Sequence, residues 1–162
     1  MIFVTVGNDY RNFDRLLKQM DEIAPLIPSE IVIQRGYSRY LPKNTKHFEF
    51  VSMNKAIEYI RSSQLVISHA GIGTIILCKE YGVPIIILPR RRRYGEHMND
   101  HQLEIAKVLE ERGDKSIYVI YEEGQLEEKI TEVLRSQKTF APTNNIGRAN
   151  LIRTIRGFIE KI

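Results

Sequence analysis

A short apolar run that ends in a glycine-containing turn is the part of this sequence best suited to chemistry. Residues 65–68 read Leu-Val-Ile-Ser, His69 follows, and residues 70–74 read Ala-Gly-Ile-Gly-Thr. Glycines let backbone N–H groups approach a ligand closely, and the N-terminus of a following helix favours negative charge. The pattern therefore predicts a phosphate or diphosphate site. A tight turn without a ligand is the alternative, because neither complete phosphate-binding glycine motif is present.

Polar residues are concentrated a second time between residues 89 and 102. This segment holds four consecutive arginines and two histidines, together with one glutamate, asparagine, aspartate and glutamine. Arginine binds phosphate through planar charged donors, and the other side chains supply the donors and acceptors that sugar hydroxyls need. A solvated basic surface is the alternative for at least two of the arginines. The polar start of a helix is the alternative for His101 and Gln102.

Metal and covalent chemistry are disfavoured by the sequence. His97 and His101 are spaced i, i+4 on a predicted helix, but no H-E-x-x-H motif and no clear third ligand accompany them. The single cysteine, Cys78, falls in an apolar helical stretch and is expected to be a buried structural thiol. No G-x-S-x-G elbow is present. We therefore expect neither a metal nor another cofactor.

Length and composition set the class of protein. The chain has 162 residues and a formal net charge of +4, and its length suits one domain with a core. One cysteine fits a reducing compartment, and no apolar stretch is long enough to cross a bilayer, so we expect a soluble protein. The mild positive charge is compatible with anionic ligands. It gives little support for a nucleic-acid binder, because the arginines form a single loop without aromatic stacking platforms.

Strand and helix signals alternate along the chain, which predicts a parallel sheet with helices on both faces. The predicted strands are residues 2–6, 31–33, 48–51, 65–68, 85–88 and 117–121. The predicted helices are residues 13–23, 56–60, 72–81, 97–111 and 125–134, with Ser52 as an N-cap and Gly82 and Gly113 at C-caps. The loops that contain Gly7, Gly36 and residues 69–74 then lie at the carboxyl edge of the sheet, where open α/β sheets bind ligands.

The chain divides into three predicted regions. Residues 1–136 are expected to form the ligand-binding domain, and the polar residues 137–145 connect it to a C-terminal helix at 146–162. That helix carries an apolar stripe among arginines, from Leu151 to Ile162. Two interpretations remain open for it: docking to a partner chain, or packing back onto its own domain.

Three motifs together resemble the family 28 glycosyltransferases. Residues 3–7 read Phe-Val-Thr-Val-Gly, residues 66–74 read Val-Ile-Ser-His-Ala-Gly-Ile-Gly-Thr, and residues 94–97 read Tyr-Gly-Glu-His within the arginine-rich segment. The resemblance covers nearly the whole chain. It is strongest to stand-alone carboxyl-terminal halves of two-subunit enzymes, such as the bacterial exopolysaccharide glycosyltransferase subunit and the catalytic subunit of the eukaryotic dolichol-linked N-acetylglucosaminyltransferase.

This resemblance implies a Rossmann-like parallel sheet that forms one half of a GT-B fold. The carboxyl-terminal half of such enzymes holds the nucleotide-sugar donor, so the implied activity is inverting hexose transfer from a UDP-sugar without an obligatory metal. The acceptor half is expected on a second polypeptide, a membrane-anchored subunit that binds a lipid-linked saccharide. That partner would hold this chain peripherally at the cytoplasmic face of the membrane, in polysaccharide or glycan biosynthesis.

The motifs and the resemblance together indicate which residues face the donor, and the resemblance itself carries over to His69, Gly71, Gly73, Thr74, His101 and Gln102. His69 and Glu96 are the catalytic candidates. The residues expected to bind substrate are Gly7, Asn8, Gly71, Ile72, Gly73, Thr74, Arg91, Asn99, Asp100, His101 and Gln102. One position departs from the family pattern, because relatives often carry a ribose-binding glutamate where this chain has Leu77.

The implied reaction places specific demands on these residues. Breaking the bond to the diphosphate develops negative charge on the leaving group. The helix end, the loop amides, His69 and an arginine of residues 90–93 are expected to stabilise that charge. Glu96 and Asp9 are candidates in this chain for the base that deprotonates the acceptor hydroxyl; the partner is the third, and we favour it. The alternative function is a non-catalytic nucleotide-binding or scaffolding module. Leu77, in place of the family glutamate, and the expected lack of an acceptor half are the two features that favour it.

Overall fold

The computed structural model describes residues 1–137, which form one open sheet covered by helices. The strands are β1 (Ile2–Thr5), β2 (Ile31–Gln34), β3 (Lys46–Phe48), β4 (Leu65–Ser68), β5 (Ile85–Ile87) and β6 (Ile117–Val119). The helices are α1 (Asp14–Ile23), α2 (Met53–Ser62), α3 (Ile72–Tyr81), α4 (His101–Glu111) and α5 (Leu126–Gln137). The strand order is β3-β2-β1-β4-β5-β6, and every neighbouring pair is parallel.

Helices cover both faces of the sheet, as the alternating sequence pattern predicts. Successive residues of β1 point to opposite faces: Ile2 and Val4 pack with α1 and α5, whereas Phe3 packs with α2, α3 and α4. Both faces of the central strands are therefore buried, which explains their continuous apolar runs. The Rossmann-like fold class is confirmed.

The direction in which successive strands are added to the sheet changes between β1 and β4, although all the strands are parallel. After β1 it continues to β2 on one side, and after β4 it continues to β5 on the other. The loops that follow β1 and β4 therefore diverge and leave a crevice at the carboxyl ends of these two strands. Thr5 and Ser68 are paired in the last register position before this crevice.

Local predictions hold best where strands and helices are buried. The strand at 65–68 and the helix at 72–81 are confirmed, and Ser52 caps α2 by accepting a hydrogen bond from the Lys55 N–H at 3.3 Å. Gly82 ends α3 in the left-handed conformation with φ 67°. Cys78 is buried, and burial raises the pKa of its thiol to about 12.

Two predicted boundaries are wrong. The helix placed at 97–111 begins at His101, because side chains of the preceding turn bind backbone N–H groups in a non-helical conformation. His97 and His101 therefore do not share a helix. The strand placed at 48–51 is Lys46–Phe48, an edge strand whose first two residues are exposed, so apolar content does not mark it.

The described residues end with α5, at residue 137. The predicted connector at 137–145, apart from residue 137 itself, and the predicted C-terminal helix at 146–162 lie outside them and stay predictions. Within residues 1–137, no helix is both long enough and apolar enough to cross a membrane.

Candidate functional site

The imidazole of His69 lies between two glycines at the crevice between β1 and β4. A Cβ atom added to Gly7 would lie 2.5 Å from His69 Cε1, and one added to Gly71 would overlap His69 Nε2. Gly7 also has a φ of 72°, a conformation that side chains disfavour. Both glycines are therefore required by the close approach of the ring, and the ring joins the loop after β1 to the turn after β4.

His69 is uncharged in this environment. Burial is the main cause, and together with the nearby Arg90 guanidinium it lowers the pKa of His69 to about 3. A hydrogen bond with the Thr5 backbone and the Asp9 carboxylate act in the opposite direction but are outweighed. The Oγ atom of Ser68 lies 3.2 Å from His69 Nδ1. His69 therefore offers a neutral polar ring at neutral pH rather than a positive charge.

The N-terminus of α3 follows β4 at the same crevice, and no described side chain bonds its first amides. Gly71 occupies the N-cap position, and among the described residues no side chain caps the helix. A Cβ atom at Gly73 would meet no described atom within 4 Å, so this glycine borders open space. Uncapped N–H groups and the positive end of the helix dipole suit an anion, and a missing side chain lets it approach.

The loop after β1 carries a carboxylate into the crevice. Asp9 Oδ1 accepts hydrogen bonds from the Arg11 backbone N–H at 2.8 Å and from Arg11 Nη1 at 3.3 Å. Burial raises the pKa of Asp9, but the Arg11 hydrogen bond and the charges of Arg90 and Arg11 outweigh it and leave the pKa below its ordinary value. Asn8, beside it, is exposed.

His97 completes the crevice from the loop after β5. Its Nδ1 lies 2.8 Å from Asn99 Oδ1 and 3.2 Å from the Asn99 carbonyl, whereas the Asn99 N–H is farther away, at 3.4 Å. Two close acceptors favour the tautomer that carries its hydrogen on Nδ1. The other nitrogen, Nε2, lies 4.0 Å from Asp9 Oδ2.

The start of α4 is built around the same segment. Asn99 Oδ1 accepts a second hydrogen bond, from the His101 N–H at 3.3 Å, and Asp100 Oδ1 accepts one from the Arg92 N–H at 2.9 Å. Gln102 is buried, and its Oε1 accepts a hydrogen bond from the Arg90 N–H at 3.1 Å. These contacts order residues 99–102 beside the crevice.

Glu96 lies in a buried ion pair rather than facing the crevice with a free carboxylate. Its two oxygens each accept a hydrogen bond from Arg15 at 2.9 Å, and Oε2 also accepts the Arg91 N–H at 3.0 Å. Glu96 is 3% exposed. Arg15 continues the network to Glu123 Oε2, at 2.9 Å.

Arg91 is directed towards the far side of the sheet. Its Nη2 donates a hydrogen bond to the Tyr121 carbonyl and lies 3.0 Å from Glu122 Oε1. Both partners belong to the segment that follows β6. The guanidinium of Arg91, which the sequence predicts to bind substrate, therefore contacts the segment after β6 in this structure.

The structure brings together most of the residues singled out from the sequence. They lie on the loops after β1, β4 and β5 and at the starts of α3 and α4: Gly7, Asn8, His69, Gly71, Ile72, Gly73, Thr74, Asn99, Asp100, His101 and Gln102. Glu96 and Arg91 belong to a neighbouring network. Within residues 1–137, no group of three potential metal-ligating side chains is assembled.

Two residues at this edge were not distinguished by sequence reasoning. Arg90 is fully buried among backbone carbonyls, although the sequence presents it as one of four equivalent arginines. Arg15 binds Glu96, a partner 81 positions away. The signal available for Arg90 was its place directly after a strand and Pro89; for Arg15 no local signal exists.

Comparison with known proteins gives one family. The model of the glycosyltransferase family 28 C-terminal domain matches residues 1–154. The UDP-N-acetylglucosamine transferase subunit ALG13 of Homo sapiens is 31% identical over 123 residues, which cover 69% of this chain. The matched region spans only 10% of that human protein.

Solved structures share the fold. The solution structure of ALG13 has a TM-score of 0.60 at 20% identity, and the match covers 94% of this chain and 93% of that one. The glycotransferase of kitacinnamycin has a TM-score of 0.62 at 17% identity. That match covers 96% of this chain but 38% of the other, so the described fold corresponds to a part of the larger glycosyltransferase.

Proposed function

Because the chain belongs to glycosyltransferase family 28, we propose that it is the donor-binding subunit of a glycosyltransferase that uses a UDP-sugar. The observation that carries this proposal is the corner formed by His69, Gly7 and Gly71 beside the start of α3. It lies at the switch point of the sheet and joins uncapped amides to open space at Gly73. A diphosphate fits this combination of shape and potential.

The helix end is the source of positive potential in this proposal. Since His69 is neutral, the negative charge that develops on the departing diphosphate is stabilised by the amides of α3 and by the helix dipole. His69 keeps the two glycine loops in place and contributes a polar ring. The attached hexose lies against residues 99–102, whose side chains offer hydrogen-bonding groups.

The reaction is an inverting displacement. The acceptor hydroxyl oxygen forms a bond to the anomeric carbon as the bond from that carbon to the diphosphate breaks, and the hydroxyl proton passes to a base. Glu96 is poorly suited to this role, because both its oxygens are bonded to Arg15. Asp9 is closer to the crevice, but the base is assigned to the partner subunit.

The proposed partner is a membrane-anchored subunit that binds a lipid-linked saccharide and covers the carboxyl edge of the sheet. Four exposed aromatic side chains follow strands at that edge: Tyr10, Tyr37, Phe50 and Tyr94 are 69%, 56%, 40% and 46% exposed. Aromatic groups gathered along one edge are typical of a surface that another chain covers. Through this partner the chain is held at the cytoplasmic face of the membrane.

Donor binding is tested by NMR titration with a UDP-sugar. We expect perturbed amide signals at residues 69–74 and 99–102, with unperturbed signals in α5 as the internal control. The double variant His69→Ala, Gln102→Ala should lose binding. Binding by that folded double variant at the wild-type level would contradict the proposal.

Transfer is tested with the protein encoded next to this chain, co-purified and screened against UDP-sugars. Turnover that is lost on changing His69 alone supports the catalytic role. Nucleotide binding without any turnover by the reconstituted pair would favour a non-catalytic nucleotide-binding module, to which the apolar Leu77, packed against the core, would also conform.

A further inference from the structure

Arg90 is a buried cation that contacts four backbone carbonyls. It is 0% exposed. Its Nη1 donates to the carbonyls of Arg11 and Asn12, both at 3.1 Å, and of Glu96 at 3.0 Å, while Nη2 donates to Val6 at 2.7 Å. The guanidinium therefore binds the end of β1, the loop before α1 and the loop after β5 at the same time.

The rest of the side chain is fixed as firmly. The guanidinium carbon lies 4.8 Å from the centre of the Phe13 ring, and the Arg90 backbone N–H is bound by Gln102. Within the described part of the chain, Arg90 Nε is buried without a hydrogen-bond partner. Burial lowers the pKa of Arg90 to about 10, so the group stays charged at neutral pH.

Such an arrangement is costly if stability is its only purpose. The four acceptors are neutral carbonyls, and no carboxylate oxygen of the described residues bonds the guanidinium directly. Removing a cation from water without a bonded counter-ion is unfavourable, and an apolar side chain of similar size would fill the space at lower cost. The geometry that the guanidinium imposes on the loops is what an apolar side chain cannot provide.

The positions of these loops shape the corner formed by His69, Gly7 and Gly71, which we call the donor corner. The loop from Gly7 to Asn12 carries one of the two glycines that enclose His69, and it carries Asp9, which faces His97 across 4.0 Å. The loop after β5 carries His97. Arg90 joins these two loops beneath the crevice, so its contacts set the separation of Asp9 and His97 and the position of Gly7 against the imidazole.

We propose that Arg90 is a positioning residue, whose buried guanidinium holds the loop after β1 against the loop after β5 and so keeps the donor corner in its binding shape. Its link to the nucleotide rests on the proposed function, whereas its effect on the loops does not. The two are therefore measured separately.

The test uses Arg90→Ala in the full chain, with hydrogen exchange as the readout that needs no ligand. The amides to follow are Gly7, Arg11 and Glu96, which are hydrogen-bonded within the two loops at 3.2, 2.8 and 3.2 Å. We expect exchange at these amides to rise about tenfold or more, with unchanged exchange in α5. Arg92→Ala, which removes an exposed arginine of the same run, is the matched control and should leave exchange unchanged.

Guanidinium ion provides the rescue that a merely structural loss would not give. The truncated side chain leaves a space lined by four carbonyl oxygens. We expect guanidinium ion, added at roughly millimolar concentration and far below denaturing levels, to occupy that space. Exchange should return towards the wild-type rate with guanidinium but not with urea, which has the same shape and no charge. Equal rescue by urea, or unchanged exchange in the folded variant, would overturn the proposal.

A second variant covers the case in which Arg90→Ala does not fold. Arg90→Lys retains the charge but has too few donors, at a single point, to bind four carbonyls in three segments. We expect a folded protein with faster loop exchange, and unchanged exchange would overturn the proposal. UDP-sugar affinity is measured on the same samples and should weaken about tenfold. If the wild-type chain binds no UDP-sugar, the proposed function fails while hydrogen exchange still decides the role of Arg90.

Discussion

Two neighbouring corners of the carboxyl edge use polar residues in opposite ways. At the corner between β1 and β4, a neutral His69 lies between glycines, and uncapped amides of α3 border open space at Gly73. At the corner between β5 and β6, the buried Glu96 is bonded to the half-buried Arg15. The first corner leaves its polar atoms for a ligand, and the second uses them to hold loops together.

This difference separates binding residues from supporting residues better than residue type does. Charged side chains are the usual candidates for a phosphate site, yet the most highly charged corner here is satisfied internally. The corner that suits a diphosphate depends on glycines and backbone amides instead. Changing residues in each corner should therefore affect stability in one case and ligand binding in the other.

The largest expected effect is on stability, at the second corner. Glu96→Gln should lower the free energy of unfolding by about 3 kcal/mol, because Glu96 is buried and its change to an amide removes the bidentate counter-ion of the half-buried Arg15. Arg15→Met should have a similar effect, and the double variant should be less destabilised than the sum of the two. Urea unfolding measures all three.

The same variants decide between two roles for Glu96. A catalytic base would behave differently: Glu96→Gln would then abolish transfer by the reconstituted pair with little loss of stability, and Arg15→Met would not share its effect. Additive stability losses in the double-mutant cycle would contradict the supporting role.

A smaller loss of stability is expected at the first corner. Gly7→Ala should destabilise the protein by about 2 kcal/mol. The alanine would have to keep the left-handed backbone conformation of Gly7, and its methyl group would lie against the His69 ring. Gly124→Ala is the matched control, because its φ is not positive and its Cβ would meet no described atom within 4 Å. Equal stability of the two variants would show that the ring does not need Gly7.

The first corner could be predicted from sequence because its determinants are local. An apolar run, a histidine and two glycines lie within ten consecutive residues, and the run is buried in the centre of a parallel sheet where pattern and structure agree. The alternation of strands and helices likewise fixed the carboxyl edge as the place for Gly7 and His69.

The second corner could not be predicted, because its contacts join distant parts of the chain. Arg15 and Glu96 are 81 positions apart. The same limit applies to Arg90 beneath the first corner, because it bonds Val6 over 84 positions. Four consecutive arginines are chemically identical in the sequence, yet Arg90 is buried and Arg92 is exposed. Which arginine turns inwards depends on the direction in which the chain leaves β5. The position of Arg90 directly after Pro89 distinguishes it in the sequence, but the pattern does not show which distant carbonyls it would meet.

A moderate effect on binding alone is expected at Gly73. Gly73→Ala should weaken UDP-sugar binding about tenfold, because its methyl group would enter the space proposed for the diphosphate. Stability should be unchanged or rise by up to about 1 kcal/mol, since alanine favours the helix and meets no described atom. Calorimetric titration compares it with Gly124→Ala, and unchanged affinity would remove Gly73 from the proposed site.

The smallest expected effect is the response of donor affinity to pH. A charged His69 would strengthen diphosphate binding as the pH falls through its ordinary pKa of about 6.5. Because burial and Arg90 lower the pKa of His69 to about 3, we expect UDP-sugar affinity to change less than about twofold between pH 6.5 and 8.

The ligand and the control variants make this small effect interpretable. A UDP-sugar is used rather than UDP, since its esterified diphosphate does not titrate in this range. The titratable groups that act on His69 are Arg90, Asp9 and His97, so His97→Asn and His101→Asn assign any residual step. A step near pH 6.5 that disappears only in His69→Asn would contradict the neutral ring.

The lowered pKa of His69 also makes folding stability depend on pH. As the pH falls, the unfolded chain binds a proton at His69 before the folded chain does, so this residue lowers the free energy of unfolding between about pH 6.5 and pH 3. His69→Asn should therefore lose less stability between pH 6.5 and pH 3 than the wild type, which urea unfolding at both pH values measures. A smaller loss in the variant would show that burial keeps the ring at the first corner uncharged.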